Sequence, residues 1–211
     1  MARVAKALAA LFWLVSAGLA AAQGGVRYQV DVAFNWRAAP EIDAHWSRLI
    51  AFAHTSRYSL FEDGATASSG LGLVATNGRV TVLEAELAEG RRRGRVGAHV
   101  VLPGIASPGG FSFTLPVDER MSRVSFATML APSPDWFSGV SGVALRIDDE
   151  WQDTVSVDLW PWDAGVDSGP DYSGPNIDTQ PRQSVRLLTH PDFLTAQGLQ
   201  PIGRAMFKRL P

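Results

Sequence analysis

From Tyr28 onward, apolar residues mostly alternate with polar ones instead of recurring at helical spacing. Tyr28, Val30, Val32 and Phe34 share one side of such an alternation, the mark of a strand with one buried face. Related patterns predict strands over Arg57–Phe61, Arg79–Ala85, Gly97–Leu102, Gly110–Pro116, Met121–Leu130, Gly139–Ile147, Trp151–Trp160 and Ser184–Thr189. Turn-forming strings separate them: Glu62-Asp63-Gly64, Thr76-Asn77-Gly78, Leu102-Pro103-Gly104 and Ser107-Pro108-Gly109-Gly110. Ala44–His54 and Pro191–Gln197 read as short helices. Eight or nine short strands at this spacing predict an all-β fold, an antiparallel β-sandwich or barrel. No internal repeat or interdomain linker interrupts it, so a single domain is expected over residues 23–211.

The leading residues follow another pattern. Arg3 and Lys6 precede the apolar run Ala7–Ala20, and Ala20 and Ala22 are small residues spaced for cleavage after Ala22. This is the layout of a secretory signal peptide over residues 1–22, too short in its apolar part for a span of about 20 residues. The alternative is an uncleaved anchoring helix. No later run approaches spanning length, so no transmembrane segment is expected in the mature chain.

Composition narrows the chemistry. The 211 residues include no cysteine, which excludes disulfides, cysteine-ligated zinc, iron–sulfur clusters and thiol nucleophiles. With 19 basic and 21 acidic residues the chain has no overall pull toward nucleic acid. Removal of Arg3 and Lys6 with the leader would take the formal charge from −2 to −4.

The most informative segment runs from Met129 to Asn176. Two apolar stretches flank Asp148-Asp149-Glu150, and a hairpin turning there pairs residues whose numbers sum to about 298, which sets Asp135 opposite Asp163. Asp167 follows in a short loop with Gly165 and Gly169. Converging carboxylates repel unless protonated, hydrated or neutralised by a cation. Calcium, with six to eight oxygen ligands, suits such a loop better than magnesium, which demands stricter octahedral geometry. The competing reading is that these aspartates cap turns by accepting hydrogen bonds from loop amides.

The strings Ala131-Pro-Ser-Pro-Asp-Trp-Phe-Ser-Gly-Val140, Asp158-Leu-Trp-Pro-Trp-Asp-Ala-Gly-Val-Asp-Ser-Gly169 and Ser173-Gly-Pro-Asn176 resemble the spondin amino-terminal domain family. Phe34-Asn-Trp36, Thr55-Ser-Arg-Tyr-Ser-Leu-Phe61 and Ser68-Ser-Gly-Leu71 resemble it too. The resemblance implies an extracellular β-sandwich akin to calcium-dependent membrane-binding modules. It also implies Ca2+ held by Asp135, Asp163 and Asp167, with Asp158 as a lower-ranked fourth position. Unlike the animal members, this chain has no cysteines and carries no thrombospondin-type repeats, so their partners do not transfer. The expected partner is an extracellular or cell-surface protein or glycan.

Other features carry less. The four histidines lack His-Glu-x-x-His spacing. His54 reads as a structural hydrogen-bonding residue. Gly139-Val-Ser-Gly142 is not a nucleophile elbow. Arg91-Arg-Arg-Gly-Arg95 reads as a solvated hairpin tip, or alternatively as a contact for sulfated or phosphorylated glycans. The functional expectation is a non-catalytic, calcium-stabilised adhesion or ligand-binding module. The alternative is a secreted metal-dependent hydrolase, which would need a proton-transfer group such as His54 or Glu150 beside the ion. Mass measurement of exported protein should show Gln23 as the first residue; a full-length product in the medium would contradict the leader.

Overall fold

The computed structural model describes residues 25–36 and 43–211. The leader expected over residues 1–22, with its cleavage point, lies outside the described residues. Strands β1 (Val26–Phe34), β2 (His45–Trp46) and β3 (Leu49–His54) precede helices α1 (Ser69–Asn77) and α2 (Thr81–Arg92). Then come β4 (Val96–Leu102), β5 (Ile105–Ala106), β6 (Gly109–Val117), β7 (Arg123–Ala131) and β8 (Trp136–Ala144). The remainder comprises β9 (Arg146–Ile147), β10 (Glu150–Trp151), β11 (Thr154–Leu159), β12 (Pro161–Asp163), β13 (Arg186–Leu187), β14 (Leu194–Thr195), β15 (Gly198–Leu199) and β16 (Gly203–Arg209). No described helix is long and apolar enough to cross a membrane.

Two antiparallel sheets form the sandwich. One has the order β11-β16-β1-β6; the larger runs β13-β12-β8-β7-β2-β5, with β3 and β4 joined along β7. The four-stranded sheet shows the alternation expected of one buried and one wet face. Tyr28, Val30, Val32, Phe34, Phe111, Phe113, Leu115, Ala205 and Phe207 point into the intersheet core, against Leu49, Ala51, Phe126, Trp136 and Val140.

The larger sheet is covered on both faces. Ile50, Phe52, Ala127 and Phe137 face away from the sandwich and pack beneath Leu71, Val74, Leu83 and Leu87 of the two helices. Every residue of β3 is therefore buried, which explains why Ala44–His54 is strand and not the expected helix. A strand buried on both faces is a continuous apolar run, and the period-two signal vanishes.

The expected strand Arg79–Ala85 is instead the start of α2, whose buried Leu83, Leu87 and Gly90 follow helical spacing once the whole element is considered. Helix α1 was not predicted because Gly70 and Gly72 lower its intrinsic propensity. It is held by caps: Ser68 Oγ accepts from the Leu71 amide (3.1 Å), and Glu86 of α2 accepts from the Gly70 amide (2.7 Å) and the Ser68 hydroxyl (2.7 Å).

Arg57–Phe61, also expected as a strand, is irregular; the amides of Leu60 and Phe61 both donate to Ser141 Oγ (3.2 and 3.3 Å) instead of to a ladder. The Trp151–Trp160 stretch divides between sheets: Trp151 ends β10, which pairs with β9, while β11 pairs with β16, and the chain returns to β8 only with β12. Ser184–Thr189 contributes only β13, and the helix expected at Pro191–Gln197 is a single 3-10 turn over Pro191–Phe193.

Helix α1 approaches α2 through Gly70, where an added Cβ would stand 2.6 Å from Leu83 Cα. Gly70→Ala should therefore force the helices apart and destabilise the fold by about 1–3 kcal/mol, the usual range for overpacking. Urea denaturation checks this; unchanged stability would mean the helix pair shifts freely.

Candidate metal centre

The loop end of the larger sheet is built from three short segments. β7 and β8 are joined by a turn in which Ser133 Oγ accepts from the Trp136 amide (3.2 Å), its hydroxyl donating back to the Leu130 carbonyl. This places Asp135 immediately before β8 with its side chain fully buried. β12 runs antiparallel to β8 with Asp163 opposite Trp136, and the Ala164 amide continues the ladder to the Asp135 carbonyl (3.2 Å). The predicted pairing of Asp135 with Asp163 is thus displaced by one residue. The hairpin that sets it turns at Asp148 and Asp149, both at positive φ (49° and 65°), as a tight primed turn requires.

After β12 the chain reverses at Gly165, whose φ of +69° and close approach to the Gln183 carbonyl leave no room for a side chain. Asp135 Oδ2 accepts from the Val166 amide (2.6 Å) and the Asp167 amide (3.0 Å), which pins this loop beneath the sheet end. Asp163 Oδ1 accepts from the Gly165 amide (2.8 Å), and Asp167 Oδ1 from the amides of Gly169 (2.8 Å) and Ile177 (2.9 Å). Each carboxylate therefore uses one oxygen for the turn-capping role that the sequence also allowed.

The other oxygens are left for different work. Asp135 Oδ1 is buried without any hydrogen-bond partner. Asp163 Oδ2 meets the Arg186 guanidinium of β13 at 3.1 Å. Asp163 and Asp167 line a cavity of about 130 Å3 together with Trp136, Thr179, Gln183 and Arg186. Among the described residues no three His, Asp or Glu side chains form a ready-made metal-ligating cluster. The reason is local: Asp163 is turned to Arg186, and Asp135 is tied to two amides.

Burial pushes the Asp135 carboxyl up to about 6, with the Asp163 and Asp167 charges adding to the rise and the Val166 and Asp167 amides opposing it. An orphaned buried oxygen, two further carboxylates at a small polar cavity, and hard oxygen donors throughout fit a divalent cation of the calcium type.

Asp158 is held apart from this end. It lies on β11 in the other sheet, opposite Arg204, and its Oδ1 accepts from that guanidinium at 2.7 Å. Its lower rank rested on its place in the string Asp158–Gly169; the structure sets it on β11 with its charge engaged by Arg204. Arg186, which neutralises Asp163, was not foreseen, since nothing local to β13 announces the β12 partner. Trp162, next to Asp163, packs on Phe61, with ring centroids 5.1 Å apart.

His54 and Glu150, the proton-transfer groups considered for a hydrolase, are elsewhere. His54 is opposite Arg123 on β7, and Arg123 is opposite Ala144 at the far end of β8 from Asp135. Nine residues of strand at ~3.3 Å each separate the two by about 30 Å. Glu150 lies on β10, beyond that same far end. His54 is a structural residue here: its Nδ1 bonds the Thr55 carbonyl (2.8 Å) and its Nε2 meets Ser125 Oγ (2.7 Å), which also accepts from the Gly142 amide (2.8 Å). Burial lowers its imidazole below the usual range, consistent with a neutral ring.

Fold and site together define a β-sandwich domain with an aspartate-bearing loop end. The family model Spondin_N matches residues 27–195, and the chain belongs to that family. It is 36% identical to Spondin-2 of Homo sapiens over 179 residues, covering 79% of this chain and 54% of that protein. It is 34% identical to Spondin-1 of Gallus gallus over 195 residues, 85% of this chain and 24% of that protein. The chain thus spans about half, or about a quarter, of the curated relatives it matches.

The raised Asp135 carboxyl has a pH consequence. The native state holds a proton that the unfolded chain, near 3.8, releases. Without a cation, stability therefore falls as pH rises from about 4 through about 6, by about 3 kcal/mol in total. In chelator, the wild type should lose stability relative to Asp135→Asn over that window, measured by urea denaturation at each pH. Parallel curves would show that Asp135 ionises without penalty.

Proposed function

We propose that this chain is an exported, non-catalytic adhesion or ligand-binding domain whose aspartate-bearing loop end is completed by one Ca2+. The observation that carries the reading is the buried, unpartnered Oδ1 of Asp135, whose Oδ2 holds the amide of Asp167, one of two aspartates that line a small cavity. In this reading the cation is held by Asp135, Asp163 and Asp167, with neutral carbonyls or water completing the shell, because three carboxylates already exceed its charge. Arg186 then acts as the counter-ion that occupies Asp163 when no cation is bound. The ion would supply charge neutralisation and cross-link the β7–β8 turn to the loop after β12. It offers no hydrolytic role, since His54 and Glu150 lie at the opposite end of the sheet. Family membership supports an extracellular setting and a protein or glycan partner at a cell surface or matrix.

Binding to the native state alone stabilises it by about 2.7 kcal/mol at a hundredfold excess over the dissociation constant. Chelation should therefore lower the melting temperature, and Asp163→Asn should remove most of that sensitivity while keeping the hydrogen bond to the Gly165 amide. A wild type with no calcium-dependent thermal shift overturns the reading in favour of turn capping alone.

A further inference from the structure

The strongest unassigned feature lies at the end of the larger sheet remote from the aspartates. Arg57, Arg93, Arg95, Arg120, Arg123 and Arg146 line a single cleft of about 610 Å3, with Glu119 as its one carboxylate. Separate segments bring them together: the irregular stretch after β3, the turn from α2 to β4, the turn into β7, and β9. The string Arg91–Arg95 is thus not the hairpin tip its composition suggested. It closes α2, and two of its arginines join four distant ones.

This concentration of charge is local, because the whole chain is formally −2. Arg93 is engaged by Glu89 (2.7 Å), and Arg146 by Asp149 (2.9 Å) and Glu119 (3.7 Å). Arg123 Nη1 donates to the Gly142 carbonyl (2.9 Å), which orients the guanidinium without neutralising it. Arg57, Arg95 and Arg120 form no ion pair among the described residues. Guanidinium groups present forks of donors that match the oxygens of sulfate and phosphate two at a time.

A second cavity of about 410 Å3 shares Ser56, Arg57 and Arg123 with the first, making one continuous groove. Its walls add Tyr58, Phe61, the hydroxyls of Ser59 and Ser141, and a second carboxylate, Glu62. Tyr58 is braced edge-on against Phe52, with ring centroids 5.5 Å apart. Aromatic edges and hydroxyls beside an array of guanidiniums suit a sugar that carries anionic groups. Six guanidiniums spread along a groove exceed what one small anion requires.

We propose that this groove binds a sulfated polysaccharide, its sulfates on the arginines and a sugar ring against Tyr58 and Phe61. The proposal deepens the ligand-binding reading given above, yet its arginine cleft adjoins the Arg123–Ala144 end of β7 and β8, remote from Asp135, and it needs no cation, so the two fail independently.

The test is calorimetric titration of the folded chain with a size-defined heparin oligosaccharide, its desulfated counterpart, sodium sulfate, and a DNA duplex of matched charge. Three variants are compared with wild type: Arg57→Ser/Arg95→Ser/Arg120→Ser in the groove, the same three positions changed to Lys, and Arg48→Ser/Arg79→Ser/Arg204→Ser, exposed at the starts of β3, α2 and β16, as a charge-matched control. Heparin affinity should fall at least about tenfold in the Ser groove variant and less in the Lys variant, on the scale of lost charge-assisted hydrogen bonds. The control should stay within about twofold, as expected where exposed charges lie beyond the screening length. Desulfated sugar and free sulfate should bind far more weakly, and chelator should leave wild-type heparin binding intact.

Wild-type affinity in the Ser groove variant, an equal loss in the control, or equally tight DNA binding overturns the proposal. Should the Ser variant fail to fold, undiminished heparin affinity in the Lys variant does so. Absence of heparin binding alongside a calcium-dependent melting temperature refutes the groove and leaves the calcium reading standing; the converse pair of results does the opposite.

Discussion

The larger sheet must be dry on both faces, and the rest of the structure follows from that constraint. β3, β7 and the first half of β8 carry apolar residues on both sides, and a single opposing sheet covers only one. The two helices supply the second cover, with Leu71, Val74, Leu83 and Leu87 over Ile50, Phe52, Ala127 and Phe137. That is why poor helix formers such as Ser69–Asn77 adopt a helix at all: tertiary burial and the Glu86 cap outweigh intrinsic propensity. Charged side chains gather at the two ends of the sheet so enclosed, where the covering layers stop.

The two ends have opposite chemistry. At one, the strand ladder delivers Asp135 and Asp163 side by side, and the Gly165 reversal brings Asp167 back beneath them. Half the carboxylate oxygens are used to fix the loop, so the loop's shape and the placement of the remaining oxygens are one and the same feature. At the other end, His54 and Ser125 secure irregularities in the pairing of β3 with β4 and of β7 with β8. The same end carries Arg123 and Arg146 outward. Since the opposing charges stand about 30 Å apart, beyond the Debye length at physiological salt, neither end neutralises the other.

Much was legible in the amino-acid order alone. The all-β class, the antiparallel sandwich, the family and the pairing of the segment around Asp135 with that around Asp163 follow from period-two alternation, turn residues and long specific strings. The hairpin arithmetic succeeded to within one residue even though β11 leaves for the other sheet. The reason is that β12 resumes the ladder after the excursion. Turn geometry and strand pairing are local, and local spacing reports them well.

Whatever depended on the second cover or on the crossing between sheets was decided by tertiary structure. Within Ala44–His54, Leu49–His54 is strand with both faces buried, a condition with no periodic signature. Asp158, in the same string as Asp163, lies on β11 of the other sheet, where Arg204 pairs with its charge. Arg186 reaches Asp163, and Arg57, Arg95, Arg120 and Arg146 reach one another, only through pairings between segments far apart in the chain. Alternation records which face of a strand is dry; it carries no information about which distant charges the closed sandwich brings together.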